Sequence, residues 1–314
     1  MPETLVRGAS PENRMRVALA MGLALASFGV VHADELSGLI PSAVIADPTP
    51  DPANPPRSAQ VLIPSHGVGI NGLFYLAGGE GPHPTLVLLH GLPGNEQNLD
   101  LAQAIRRAGW NVLTLHYRGS WGSPGLFSIA HALEDTDAAV AFALRPDITE
   151  KFSIDARRIV LGGHSMGGFA TAAHARADER LLGVILLDAW NVGATGDELS
   201  KASGAARAVL AAGMFDDLGN SLQGATPSGI ADEIVAHRAA WNFLTWAADL
   251  ARRPLLVIGA AKGIGDENRR LAEVVARAGG KVTAVTLPSD HSFQDHRIAL
   301  AGEVVTWLQH LPHE

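Results

Sequence analysis

Gly163-His164-Ser165-Met166-Gly167 is the stretch of this sequence best suited to chemistry. A serine spaced between two glycines in this way can be turned out on a sharp strand-to-helix bend, its hydroxyl exposed as a nucleophile for acyl transfer. Side chains at Gly163 and Gly167 would collide with neighbouring backbone in such a bend. The bend needs a strand before it and a helix after it. Arg158 to Leu161 reads as that strand and Met166 to Ala175 as that helix. The positive end of the helix would favour an anion developing at the site.

A serine nucleophile needs an oxyanion site, a base and an acid. A tetrahedral intermediate requires at least two donors aimed at its oxygen. The N–H of Met166 is one candidate. The second is Leu92, in the run His90-Gly91-Leu92-Pro93-Gly94-Asn95, since Pro93 has no N–H to give. The base is His291, in Ser289-Asp290-His291-Ser292-Phe293, after the last strand and before the last helix. An imidazole there can take the serine proton and return it to the leaving group. His90, His116, His164 and His174 read as solvated or core histidines. The acid is expected in the loop after the penultimate strand, Gly259 to Glu267. Asp266 is the first choice and Glu267 the next. Asp188, at the end of an earlier strand, is a rival, and Asp290 reads as a surface charge.

The elements that must carry these residues follow from the periodicity. Gln60 to Ile63 and Leu73 to Leu76 read as opening strands. Thr85 to Leu89, Asn111 to Leu115, Gly183 to Leu187, Leu255 to Ile258 and Val282 to Val285 read as further strands. Helical spacing falls over Leu99 to Ala108, His131 to Leu144 and Arg297 to Leu308. Alternation of this kind predicts an α/β fold, a mainly parallel sheet flanked by helices. Residues 191–252 carry helical patterns and no strand. They are expected to form a small helical cap insertion over the sheet's C-terminal edge, where ligands bind in such folds. Within them Trp241, Phe243 and Trp246 sit at helical spacing and read as core. The segment Arg118 to Phe127 reads equally as a pocket border or a surface loop.

His90-Gly91-Leu92-Pro93-Gly94, Tyr117-Arg118-Gly119, Gly163-His164-Ser165-Met166-Gly167 and Asp290-His291-Ser292-Phe293 together resemble the α/β-hydrolase superfamily. The resemblance is to its branch of dienelactone hydrolases and prolyl-oligopeptidase catalytic domains, and runs from Ala59 to the C-terminus. It implies a Ser-acid-His triad that needs no cofactor and acts on an ester, thioester or amide. Many members place an aspartate about four residues past the glycine that ends the penultimate strand, where this chain has Gly263; the acid therefore stays open between Asp266, Glu267 and Asp188. The chain has no room for the propeller of prolyl oligopeptidases.

Ile258 to Gly265 also resembles the glycine-rich cofactor turn of short-chain dehydrogenases. That reading fails on its partner motif: only Tyr75 and Tyr117 exist, and neither has a lysine four residues on. No cofactor and no metal are expected. A net charge of -8 argues against nucleic acid, whose phosphates it would repel. There is no cysteine, so disulfides and a thiol nucleophile are excluded.

At the N-terminus, Arg14 and Arg16 precede the uncharged run Val17 to Val31, and Val31-His32-Ala33 leads into Asp34-Glu35. This predicts a signal peptide over residues 1–33, cleaved after Ala33, with the mature protein periplasmic or secreted and without a stable membrane anchor. Residues 34–58 read as a Pro-rich linker and residues 59–314 as the catalytic domain. The expected function is hydrolysis of carboxylic esters through Ser165, His291 and Asp266. A serine peptidase or aminopeptidase of the same fold, and a non-catalytic binding protein on that scaffold, are the alternatives. The partner is a small-molecule ester or peptide.

Overall fold

The computed structural model describes residues 31–32, 40–219 and 221–312. The chain opens with β1 (Val31–His32), α1 (Ser42–Ile45), β2 (Arg57–Ser65) and β3 (Val68–Leu76). β4 (His83–Leu89), α2 (Leu99–Arg107) and β5 (Asn111–Leu115) follow, then α3 (Ile129–Ala143) and α4 (Pro146–Phe152). The middle holds β6 (Ile154–His164), α5 (Met166–Ala175) and β7 (Gly183–Leu187). Next, among the described residues, come four α-helices and a short 3-10 helix (Phe243–Trp246) but no strand: α6 (Val192–Ser200), α7 (Gly204–Met214), α8 (Pro227–His237) and α9 (Ala247–Leu250). The chain ends with β8 (Leu255–Lys262), α10 (Gly265–Arg277), β9 (Val282–Asp290) and α11 (Arg297–Gln309).

These strands form one nine-stranded sheet in the order β1-β9-β8-β7-β6-β4-β5-β3-β2. The β2–β3 and β3–β5 pairings are antiparallel, and the other pairings are parallel. The β2–β3 hairpin turns on His66 and Gly67, both at positive φ, as a two-residue turn between twisted strands requires. Central strands are apolar on both faces because each face meets helices. In β4, Val87 and Leu89 point into the core layer with α3 and α5, whereas Leu86 and Leu88 point into the layer with α2 and α11. On α2 the buried Leu101, Ala102, Ala104 and Ile105 lie on one stripe, and Asp100, Arg106 and Arg107 flank it. Full burial of a Leu or Ile such as these contributes about 1.5–3 kcal/mol.

The excursion between β7 and β8 is tied to the sheet's own helices. Glu233 on α8 accepts the N–H groups of Ile129 and Ala130 at 3.0 and 2.9 Å, a carboxylate placed on the positive end of α3. Phe243 is fully buried, and the rings of Trp241 and Trp246 each lie 5.7 Å from that of Phe169 on α5. These three aromatics are core, as their spacing suggests. Apart from β1, the expected signal peptide and its cleavage point lie outside the described residues. Among the described residues no helix is long and apolar enough to cross a membrane.

Candidate active site

β6 ends at His164 and α5 begins at Met166, so Ser165 alone makes the bend. Its backbone sits at φ 56° and ψ -119°, a region that costs an L residue about 1–3 kcal/mol and persists only when the surroundings enforce it. The enforcement is visible. The Ser165 N–H donates to Leu187 O at 3.0 Å, and Ser165 O accepts from Trp190 N–H at 3.0 Å and Phe169 N–H at 3.1 Å. Gly167 lets α5 start against the end of β4. A Cβ there would lie 2.6 Å from His90 O and collide with Leu89 O, neither of which can move aside. The first N–H groups of α5, Met166 among them, have no acceptor within the helix.

The loop after β4 forms the facing wall. A Cβ on Gly91 would lie 2.9 Å from Ser165 Cβ and 3.4 Å from Ser165 Oγ, so Leu92 follows directly on the point of contact. Three side chains hold this loop. Tyr117 Oη donates to His90 O at 3.0 Å, Trp121 Nε1 to Pro93 O at 2.8 Å, and Gln97 Nε2 to Gly94 O at 3.1 Å. The segment Arg118 to Phe127 is a border between this wall and the excursion. Trp121 N–H donates to Ser221 O at 3.0 Å, and Gln223 N–H to Gly119 O at 2.7 Å.

His291 follows β9 and reaches the same edge. Its Nδ1 lies 2.7 Å from Asp188 Oδ2. With the proton on Nδ1 donated to the carboxylate, Nε2 is left as an acceptor. The ring of His164 lies 4.7 Å from that of His291, and His164 Nε2 donates to His291 O at 2.7 Å. The residue next to Ser165 thus anchors the backbone of His291. Burial, and then the nearby His291, push the His164 imidazole down to about 4, so it is a neutral donor at ordinary pH. His164 belongs to the site and was not expected there; its place beside the serine was the available signal.

Asp266 is not the carboxylate at His291, contrary to the sequence expectation. Its side chain is 93% exposed on the first turn of α10 and pairs with Arg269 at 3.0 Å. Asp188 holds the position instead. It is fully buried, with Oδ1 accepting Ala260 N–H at 2.9 Å and Oδ2 accepting Ile264 N–H at 3.0 Å. Gly263 gives the physical reason. A Cβ at Gly263 would collide with Asp188 Oδ2 and stand 3.1 Å from His291 Cα. The space that a residue 263 side chain would fill is taken by a carboxylate from β7. The glycine-rich turn that imitates a dinucleotide cradle is therefore wrapped around Asp188. Glu267 is half-buried beyond it, and burial raises its carboxyl above the usual range.

The other residues weighed from sequence fall as follows. Asp290 shapes the turn carrying His291, its Oδ1 accepting Ser292 N–H at 3.1 Å and Gln294 N–H at 3.0 Å. His90 is buried and held by burial at about 4, with Nδ1 donating to Gly91 O at 2.8 Å. His174 sits between Asp137 at 2.5 Å and Asp178 at 3.1 Å. His116 lies under Trp121, their rings 6.4 Å apart.

Comparison with known proteins follows the same lines. The model of a family described as "Alpha/beta hydrolase family" matches residues 86–303. A quorum-quenching protein, AidA, of Acinetobacter baumannii is 34% identical over 137 residues, which span 42% of this chain and 43% of that protein. Among solved structures, an esterase from Pyrobaculum calidifontis superposes with a TM-score of 0.58 at 20% identity, over 82% of this chain and 87% of that one. The carboxylesterase EstE1 from a metagenomic library gives a TM-score of 0.58 at 19% identity, over 85% and 92%. Brefeldin A esterase, described as a bacterial homologue of human hormone sensitive lipase, gives 0.57 at 19%, over 84% and 79%.

Proposed function

Since the chain belongs to the alpha/beta hydrolase family, we propose that it is a serine hydrolase of carboxylic esters with Ser165, His291 and Asp188 as its triad. One observation carries the proposal: a fully buried Asp188 lies 2.7 Å from His291 Nδ1, on a histidine anchored beside a serine in strained backbone. Ser165 Oγ attacks the ester carbonyl while His291 Nε2 takes its proton. Asp188 holds the ring in that tautomer and balances the imidazolium. The N–H groups of Leu92 and Met166 hold the oxyanion. The tetrahedral intermediate collapses as His291 passes the proton to the departing alkoxide oxygen, leaving an acyl-serine and an alcohol. Water, deprotonated by His291, then releases the acid and restores Ser165.

The esterases among the structural neighbours favour an ester over an amide, though their likeness is one of fold. The esterase-like fold fits a small-molecule substrate. Residues 191–252 are proposed to cap the site, because their Ser221 and Gln223 bond to the loop that braces Pro93. Export with cleavage after Ala33 is proposed on the leader pattern alone. It would remove β1 and be read as a mature chain beginning at Asp34. The substrate class is tested with p-nitrophenyl esters against aminoacyl p-nitroanilides. Turnover of the esters is expected, and turnover of the anilides alone would move the enzyme to the peptidases.

A further inference from the structure

Asp188 is held in an awkward place. It follows β7 with a backbone φ of 40°, a left-handed value that is uncommon for a residue with a side chain. A short carboxylate on a strained backbone aims reliably only if the peptide after it is fixed. That peptide carries the Ala189 N–H, and a single side chain grips Ala189 by both its N–H and its carbonyl.

Asn268, on the first turns of α10, is fully buried. Its Oδ1 accepts the Ala189 N–H at 2.8 Å, and its Nδ2 donates to Ala189 O at 3.0 Å. The second Nδ2 hydrogen donates to Ile264 O at 3.1 Å. Ile264 is itself the residue whose N–H donates to Asp188 Oδ2 at 3.0 Å. One amide therefore fixes the backbone leaving Asp188 and also a residue that binds its carboxylate. The far side of Ala189 is closed as well, because a Cβ on Gly168 of α5 would lie 2.5 Å from Ala189 Cβ. No other side-chain type of this size supplies one acceptor and two donors in a plane.

We infer that Asn268 is a positioning residue for the reaction: it sets the aim of Asp188 at His291 and does not touch the substrate. The inference rests on the hydrolase reading above. It assigns to Asn268 an effect on chemistry and not on substrate binding, since the Ala189 peptide and Ile264 lie behind the acid. A merely structural asparagine would stabilise α10 and leave the chemical step of folded protein alone.

The experiment compares Asn268→Asp, which keeps the acceptor for Ala189 N–H and loses both donors, with Asn268→Ala, which loses all three bonds. Leu271→Ala is the control, being a fully buried change on the same helix with no bond to Ala189. Each variant is assayed on a p-nitrophenyl ester as folded protein. Its proton spectrum is searched for the far-downfield resonance of the His291 Nδ1 hydrogen held by Asp188. The expected result is a kcat at least ten-fold down in both Asn268 variants, with KM within about two-fold. Their downfield resonance is lost or broadened, and Leu271→Ala keeps wild-type kcat and resonance at reduced stability. Wild-type kcat and resonance in either folded Asn268 variant would overturn the inference. So would a Leu271→Ala enzyme as impaired as they are. Failure of both Asn268 variants to fold while Leu271→Ala folds would also overturn it and mark Asn268 as a structural residue. An inactive wild type on every ester and anilide would instead overturn the hydrolase reading itself.

Discussion

Asp188 and Asp266 separate what a residue type can do from what its surroundings let it do. Both are aspartates near a strand end. Asp266 is solvated and shares its charge with Arg269, so its field is screened by water and salt. Asp188 is out of water, with each oxygen satisfied by a backbone N–H and one of them also facing His291. Bonds of this kind fix the direction in which a carboxylate faces. Asp188→Asn is therefore expected to lower kcat by about 10³-fold or more, on the scale seen when a triad acid is neutralised. Asp266→Asn should stay within about two-fold, as exposed substitutions usually do. Steady-state kinetics on one ester decide between them, and a larger loss at Asp266 would refute the placement. The elbow, the facing loop and the histidine stand out in the sequence because each combines an unusual residue type with a fixed place in chain order. The carboxylate beside His291 could be narrowed only to Asp266, Glu267 or Asp188, because its place is set by three-dimensional fit: β7 and β8 are neighbours, and the carboxylate after one fills the gap left by a glycine after the other.

That fit is a property of elements. Strands buried on both faces announce themselves as apolar runs, so β4, β5 and β7 stand where the sequence puts them. Boundaries were less legible. β6 starts at Ile154, four residues before Arg158, because its first residues are partly exposed and do not read as a core run. α10 starts within the glycine-rich turn, and its opening is spent on clasping the neighbouring strand end. Gly263→Ala tests this clasp. The added methyl meets Asp188 Oδ2, which accepts the Ile264 N–H and faces His291 Nδ1 and cannot retreat without losing one of them. The variant is expected to lose at least ten-fold in kcat and about 1–3 kcal/mol in stability, the usual cost of overpacking a tight site. Denaturation midpoint and turnover are the readouts, and wild-type values for both would show that the turn can relax.

At the scale of the whole molecule, the buried histidines link the fold to pH. His90 and His164 are pushed by burial to about 4, below the ordinary value of 6.5 that they recover on unfolding. Between those two values the unfolded chain binds more protons than the folded one, so stability rises with pH. Their contribution is fully present above about 6.5 and is lost as pH falls toward about 4. The slope approaches about 1.4 kcal/mol per pH unit for each histidine. His164→Asn, which can still donate to His291 O, should show a smaller drop in Tm between pH 7 and pH 5 than the wild type. An equal drop would mean that His164 does not carry the effect.

The end of β6 and the facing loop meet at a single hydroxyl, and its reactivity is the quantity on which the proposed function stands. Incubation of the folded protein with a fluorophosphonate probe, read by intact mass, measures it most directly. One probe adduct on the wild type, absent from Ser165→Ala and strongly slowed in Asp188→Asn, is the outcome this account requires. A folded wild type that stays unlabelled, or that labels equally well without Ser165, would contradict it.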